Sequence, residues 1–422
     1  MARLVEFYYD IACPFSYVAT YSLRSLLSRS DVKVIWKPVH FGSIDPGTVI
    51  GSPIVDRPSS SKSNWIYQDL QMMISRLQVP IRRQAKHLDQ GGSVQRLLAS
   101  IDDNSNRQKL SLALFRHYWQ NGGDIQSIQN LKEVALDVGL SMDVNKQIEI
   151  GADNLNNFNT ESTNKGVYRL PGFFVDGKLY HGMDRLHFVE KILGNPSARE
   201  LRLALPNNVA ADHKAKLTFY FDFASPWSHI ANTYMSSFLK ELHPVNVEVE
   251  YVPVILGAIM QALGTSIIPV QKIQRSKVRA SRADMHEYLH HFGNITLKMN
   301  SHFPIQTLMS LRVAIANDSA DLRRRIFEAA WINNQNISKT EVLAGIIEEA
   351  GLNSTTLLKQ AQEASVKSQL KNNVMRAIKA GVFGVPSFQV NSGPTIFGAD
   401  RMNIVADMIC GWEYVPGNNS KL

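Results

Sequence analysis

One short segment occurs twice in this chain of 422 residues, and the distance between its copies constrains the fold. Phe7–Tyr17 and Phe219–His229 both read as an apolar run, an Asp, a Cys or Ser before Pro, an aromatic residue and Ser. Trp119 and Trp331 are 212 positions apart, which is the offset of the two segments. This period is much longer than a solenoid repeat and has the size of a domain. The sequence therefore predicts two homologous domains in tandem.

The domain boundaries are predicted from composition. Residues 195–213 form a polar stretch with Pro and Asn, which indicates a linker. We therefore predict a first domain at 1–194, a second at 214–411 and a tail at 412–422. Each domain is long enough to bury a core of its own.

Each half has the same order of predicted elements: strand, helix, strand, a long helical stretch, two short strands and a final helix. This order predicts an α/β fold in which an all-helical domain is inserted into a small sheet. The predicted strands are Arg3–Tyr9, Val32–Lys37, Phe173–Val175, Lys178–Tyr180, Lys216–Phe221, Val247–Val252, Ser387–Val390 and Thr395–Phe397. The predicted helical segments are Pro14–Leu27, Asn64–Asn164, Pro226–Leu239 and Arg275–Ala380, with final helices from about Asp184 and Asp400.

Composition excludes several classes of protein. A hydrophobic content of 44% is typical of a globular chain, and no apolar run has the length of a membrane span. The net charge of +8 comes from dispersed basic residues, so we expect no nucleic-acid surface, although an anionic ligand would suit it. Two cysteines cannot form a disulfide framework, and Met1 leads directly into a strand, so we expect a reducing compartment and no signal peptide. The histidine spacing indicates no metal site.

The residue before the first helix of each half is a candidate for sulfur chemistry. It is Cys13 in the first half and Ser225 in the second. The first backbone N–H groups and the dipole of a helix stabilise a thiolate at this position. The structural alternative for Ser225 is an ordinary helix cap before a proline.

Two further landmarks recur in both halves. Pro171 and Pro386 each lie between a helix and a strand, where a cis bond would present the backbone of the preceding residue to a peptide-like ligand. A simple helix stop is the alternative. Asp184 and Asp400 each start a helix, where the carboxylate could cap the helix or bind an ammonium group beside free N–H groups.

These motifs together resemble those of the kappa-class glutathione transferases and the 2-hydroxychromene-2-carboxylate isomerases. The matching stretches are Phe221–Ser228, Phe383–Pro386 and Phe397–Arg401, together with a lysine and an aspartate seven residues apart at Lys62 and Asp69 and at Lys277 and Asp284. Both groups resemble the bacterial disulfide oxidoreductases. The resemblance implies a thioredoxin-like fold with an all-helical insertion, duplicated in tandem.

The resemblance also implies roles for residues of the second half. Ser225 would donate a hydrogen bond to the sulfur of glutathione, the co-substrate, and favour the thiolate. Val385, before Pro386, would pair with the glutathione backbone. Ala399 and Asp400 would hold its γ-glutamyl end, and Lys277 its glycine carboxylate. The equivalent residues of the first half are Lys62, Leu170, Pro171, Met183 and Asp184.

The first half departs from the pattern. Cys13 replaces the serine, and Arg169 stands where the second half has Gly384. Cys13 could be a low-pKa thiol that forms a mixed disulfide with glutathione, or a small residue in a half without activity. Arg169 argues against ordinary glutathione binding there.

The sequence thus predicts a glutathione transferase that acts on a small electrophile or peroxide, with its two halves arranged like a homodimer. The alternatives are an isomerase of the chromene-carboxylate type, a thiol-disulfide oxidoreductase that uses Cys13, and a non-catalytic binding protein.

The chain ends in Ser420-Lys421-Leu422, a peroxisomal import signal in eukaryotes. We therefore expect an import receptor as a partner and a location in the peroxisome, or in the cytoplasm of a bacterium.

Overall fold

The computed structural model describes residues 2–44, 61–82, 92–210, 212–264 and 275–414. The described residues form two compact units, 2–200 with 275–284, and 201–264 with 285–414. Residues 275–284 come from the second half of the sequence but belong to the first unit. The boundaries drawn from composition stay a prediction, and the import signal at 420–422 lies outside the described residues.

The first unit is built on a four-stranded mixed sheet of order β2-β1-β3-β4. β1 pairs in parallel with β2 and antiparallel with β3, and β3 forms a hairpin with β4. Its strands are β1 (Arg3–Tyr9), β2 (Val32–Pro38), β3 (Gly172–Val175) and β4 (Lys178–His181). Its helices are α1 (Pro14–Ser22), α2 (Arg24–Leu27), α3 (Phe41–Ile44), α4 (Ser61–Leu77), α5 (Ser93–Ala99), α6 (Asn104–Phe115), α7 (Ile128–Asp137), α8 (Val144–Lys165) and α9 (Leu186–Ile192), with a π-helical turn at Arg116–Gln120 and a 3-10 turn at Met183–Arg185.

The second unit repeats this plan with a sheet of order β6-β5-β7-β8. β5 is parallel to β6 and antiparallel to β7. Its strands are β5 (Lys214–Phe221), β6 (Asn246–Pro253), β7 (Ser387–Val390) and β8 (Thr395–Phe397). The helices of this half are α10 (Pro226–Glu241), α11 (Leu256–Ala262), α12 (Arg275–His291), α13 (Leu308–Ala316), α14 (Ala320–Trp331), α15 (Thr340–Glu349), α16 (Ser354–Gln360), α17 (Ala364–Lys379) and α18 (Met402–Ile409), with 3-10 turns at Pro206–Asn208 and Ala399–Arg401. The predicted fold class and its duplication are confirmed.

The cores explain why both halves fold alike. In each unit the central strand is buried on both faces, and its aromatic rings pack across the sheet: Phe7 on Phe173 at 5.3 Å and Phe219 on Phe388 at 5.1 Å between ring centroids. Such pairs add stability beyond the burial of apolar area. The sheet with its hydrophobic core therefore holds the turn that follows the central strand, where the candidate site lies.

The predicted helical segment Pro14–Leu27 forms α1 and α2, which are separated by Leu23 alone. The backbone ladder continues across this residue, since the Leu23 amide donates to the Ala19 carbonyl and the Leu27 amide to the Leu23 carbonyl, each at 2.9 Å.

The segment that leads into the second unit is anchored by one buried carboxylate. Asp407 of α18 accepts hydrogen bonds from Arg202 Nε at 2.8 Å and from the amide of Leu203 at 3.0 Å. The predicted linker is therefore divided: residues 195–200 belong to the first unit, and the second unit begins at Leu201.

Among the described helices, none combines the length and the apolar character needed to cross a membrane.

Candidate active site

Ser225 follows the central strand of the second unit and caps α10. Its backbone is extended, with φ −101° and ψ 118°, and its Oγ accepts a hydrogen bond from the Ser228 amide at 3.2 Å. Pro226 occupies the first helical position, where its missing N–H costs nothing. The capping role considered as an alternative is therefore present, and it places the hydroxyl at the positive end of the helix dipole.

The same hydroxyl also reaches the cis-proline loop. Ser225 Oγ donates to the carbonyl oxygen of Val385 at 3.1 Å, and the Val385–Pro386 peptide bond is cis. Within the described chain, the loop and turn hydrogen bonds include none from the Val385 amide. The structure thus brings together Ser225 and the backbone of Val385, which are 160 positions apart in the sequence.

The third landmark joins this arrangement through the backbone. The amide of Gly398 donates to the Pro386 carbonyl at 3.0 Å, so the turn Ala399–Arg401 is fixed beside the proline, and it packs on α10. The residues at the cap positions of this turn and of α18, Gly398 and Arg401, make no side-chain cap hydrogen bond. The Asp400 carboxylate accepts a hydrogen bond from Arg401 Nη1 at 3.1 Å.

Two residues that shape this site were not assigned a role from the sequence. Asp222 is buried in the turn and accepts hydrogen bonds from the Ala224 amide at 3.0 Å, the Leu256 amide at 2.8 Å and Thr307 Oγ1 at 2.6 Å. Burial raises the pKa of the Asp222 carboxyl, and this effect outweighs the hydrogen bonds, which lower it. Trp331 Nε1 donates to the Phe223 carbonyl at 2.8 Å. In the sequence, Trp331 indicates only the repeat offset, whereas the tertiary structure shows that it braces the turn.

Cys13 stands at the matching position of the first unit, where it is about as buried as Ser225, with exposures of 8% and 5%. It makes no side-chain cap hydrogen bond and lies in a buried cluster with Tyr8, Val39, Val167 and Leu170. Burial raises the pKa of the Cys13 thiol to about 11, an effect that the hydrogen bonds to Ser16 only reduce. The low-pKa thiol considered from the sequence is therefore disfavoured, because the thiol stays protonated near neutral pH.

The other landmarks of the first unit keep their geometry. The Leu170–Pro171 bond is cis, and the Gly182 amide donates to the Pro171 carbonyl at 2.9 Å. Beside Met183, the carboxylate of Asp184 pairs with Arg185. Arg185 in turn binds both carboxylate oxygens of Asp284 at 2.8 Å.

The predicted lysines belong to the first unit. Lys62 and Lys277 lie in the first turns of α4 and α12, and Lys277 Nζ is 5.8 Å from the centre of the Tyr168 ring. A contact of either lysine with glutathione stays a prediction.

Comparison with known proteins agrees with the duplicated fold. The model of the DSBA-like thioredoxin domain family matches residues 4–194 and again residues 216–409. The chain belongs to this family. The predicted relationship to kappa-class transferases and chromene-carboxylate isomerases is also confirmed, since the curated relatives are of these two kinds.

One relative is the 2-hydroxychromene-2-carboxylate isomerase of Sphingobium xenophagum, 26% identical over 46% of this chain and 99% of the relative. Another is glutathione S-transferase kappa 1 of Caenorhabditis elegans, 21% identical over 49% of this chain and 98% of the relative. Among solved structures, a 2-hydroxychromene-2-carboxylate isomerase aligns with 46% of this chain and 94% of its own at 19% identity and a TM-score of 0.41. A probable DsbA oxidoreductase from Streptomyces coelicolor aligns with 50% of this chain and 96% of its own, at 17% identity and a TM-score of 0.38.

Proposed function

We propose that the second unit binds reduced glutathione as co-substrate and ionises its thiol beside Ser225 for attack on a small electrophile or peroxide. The observation that carries this proposal is the position of the Ser225 hydroxyl, which lies at the start of α10 and donates to Val385 at 3.1 Å. A hydroxyl in this position needs only to rotate to donate to a sulfur atom placed between the helix and the cis-proline loop.

The electrostatics of the position support a thiolate. The first amides of α10 and the helix dipole favour negative charge at its N-terminus. Ser225 is only 5% exposed, so a donor there acts in a medium that screens charge less than water does. A hydrogen bond to the charged form lowers the pKa of a thiol. Together these effects would raise the nucleophile concentration at neutral pH.

The rest of the ligand would lie along the loop. The Val385 amide has no described loop partner, and its carbonyl would exchange the Ser225 hydroxyl for a backbone amide of glutathione. Asp400 would bind the ammonium of the γ-glutamyl end, beside the buried Ala399.

An isomerase reaction is the second candidate, because one curated relative that matches this chain over 99% of its own length is an isomerase. It would use the same thiolate, which adds to the double bond of an unsaturated aromatic-derived acid. The resulting single bond rotates, and the thiolate then leaves as the double bond re-forms. The two reactions differ in their products, so product analysis with an aromatic enone acid separates them.

A thiol-disulfide reaction at Cys13 has less support. Its thiol is buried among apolar side chains with a raised pKa, whereas thiolate attack requires a low pKa and access.

The experiment is a calorimetric titration of reduced glutathione into the wild type, Ser225→Ala and the matched control Cys13→Ser. The ultraviolet absorbance of the bound thiolate is read in parallel. We expect saturable binding and a thiolate signal in the wild type and in Cys13→Ser, with the thiolate signal lost in Ser225→Ala. Absence of binding in the wild type would overturn the proposal, as would a thiolate signal that survives Ser225→Ala.

A further inference from the structure

Two positions that contact each other differ together between the two halves. The second unit has Gly384 two residues before its cis-proline and Phe397 at the end of β8. A Cβ atom on Gly384 would lie 2.6 Å from Phe397 Cε2, so the ring excludes any side chain there. The first unit has Arg169 and His181 at the equivalent places. The smaller histidine ring is thus paired with a large cationic neighbour.

Arg169 is held at this position by the chain itself. Its Nη2 donates to the carbonyl oxygen of His181 at 3.2 Å, and the ring of His181 lies against Tyr168 with centroids 4.3 Å apart. Burial, together with the nearby charges of Arg169 and Arg185, lowers the pKa of His181 to about 3, so the imidazole is neutral at neutral pH. The exposed guanidinium of Arg169 is therefore the charged group of this pair at neutral pH.

Two lysines add positive charge next to Arg169. Lys62 and Lys277 are both exposed, and Lys277 lies near the ring of Tyr168, next to Arg169. Partial burial lowers the pKa of the Lys62 amine, and the charges of Lys277 and Arg169 lower it further. The three cations therefore lie close enough to repel one another.

The carboxylate of Asp184 lies beside Gly182, close to Arg169, but it pairs with Arg185. Other salt bridges of the first unit join Arg3, Lys37 and Lys165 to acidic side chains. A bound anion would be attracted by all three charges at once, and charge-assisted hydrogen bonds to Arg and Lys are the strong ones.

We propose that the first unit binds a small polyanion, a phosphate ester or a di- or tricarboxylate, through Arg169, Lys62 and Lys277. Arg169 gives the site its preference for a higher negative charge than that of glutathione, which carries an ammonium besides its carboxylates. Because the Cys13 thiol is buried in an apolar cluster, the site binds its ligand without attacking it. The proposal is independent of the glutathione chemistry assigned to Ser225.

The test is a calorimetric titration of the full chain at low ionic strength with inorganic phosphate, succinate and reduced glutathione as separate probes. Phosphate and succinate distinguish the two kinds of polyanion. We expect saturable binding of at least one of them. Arg169→Gln and Lys277→Ala should each weaken it roughly tenfold, since each removes a charge-assisted contact. The control Lys132→Ala removes an exposed cation of α7 and should leave the affinity unchanged.

Three results would overturn the proposal. The first is the absence of phosphate and succinate binding, and the second is binding that Arg169→Gln and Lys277→Ala leave intact. The third is a glutathione affinity that exceeds the affinity for both anions and falls in Arg169→Gln. The Ser225→Ala variant should bind the anions like the wild type, so failure of the glutathione proposal does not decide this one.

Discussion

Ser225 and Cys13 occupy the same position in two copies of one loop, and both are buried, at 5% and 8% exposure. The turns are braced alike: Trp331 donates to Phe223 and Trp119 donates to Ile11, each at 2.8 Å. The serine hydroxyl donates to Val385 of the cis-proline loop, whereas the cysteine thiol makes no cap hydrogen bond and packs with Leu170 of the equivalent loop. The comparison shows that the duplicated scaffold has been kept in both halves while the polar group at its centre has changed from a hydroxyl to a thiol.

The strongest way to break this comparison is to remove the serine. Ser225→Ala should lower kcat/KM for a small electrophile by roughly 10²–10³, the cost of losing one positioned donor to a developing anion. Steady-state kinetics with glutathione measure it. Cys13→Ser is the matched control and should retain activity. Equal losses in both variants would mean that the two loops share the chemistry.

The reactivity of Cys13 tests the other side of the comparison. With a pKa raised to about 11, its thiolate fraction at neutral pH should be roughly a hundredfold below that of an exposed cysteine. Alkylation, followed by mass spectrometry in a Cys410→Ser background, should be slow at pH 7 and accelerate as pH rises towards the pKa. Fast labelling at neutral pH would show an accessible, activated thiol instead.

The shared bracing of the turns predicts equal effects in the two units. Trp119→Phe and Trp331→Phe each leave a buried carbonyl without its donor, which costs about 1–3 kcal/mol of local stability. Hydrogen exchange read on peptides from each unit measures the free energy of opening. We expect each variant to weaken its own unit by a similar amount. A loss confined to one unit would show that the scaffolds have diverged too.

The smallest expected effect on stability concerns an ion pair between a strand and a helix, in which the two halves place the cation on opposite partners. On the first sheet Lys37 of β2 pairs with Glu161 of α8, and on the second Glu250 of β6 pairs with Arg376 of α17. The Arg376 guanidinium lowers the pKa of Glu250 to about 2. Because this folded-state pKa is depressed, the stabilisation is present above about pH 4.5 and is lost as pH falls towards 2.

The pair is partly exposed, so we expect it to contribute less than about 1 kcal/mol. An NMR titration of the Glu250 carboxyl in the wild type and in Arg376→Gln measures the shift. A Glu250 pKa that stays near 2 in the variant would contradict this assignment.

Most of the fold could be predicted from the sequence because its signals are local. The alternation of the strands, the Pro after Ser225 and the repeat offset each depend on neighbouring residues or on simple spacing. The order of the elements then predicted the insertion of helices into the sheet, and the resemblance identified the fold as thioredoxin-like.

The site was predicted less completely, because its decisive contacts are distant in sequence. Gln95 contacts Asp10, and Thr307 contacts Asp222, each across 85 positions. The two donors are themselves 212 positions apart, so the repeat offset could have pointed to them although their residue types differ. The burial of Cys13 had no such signal, since it depends on packing against Val39, Val167 and Leu170.

The bidentate pair of Arg185 with Asp284 bears on the history of the chain. The buried guanidinium belongs to the first copy of the repeat, and its carboxylate partner comes from the sequence of the second. Once such a pair exists, a gene that lost its second copy would encode a first copy whose buried guanidinium keeps Asp184 but loses its bidentate partner. The duplication is thereby partly entrenched: each copy is free to change its chemistry, but the second cannot be discarded without cost to the first.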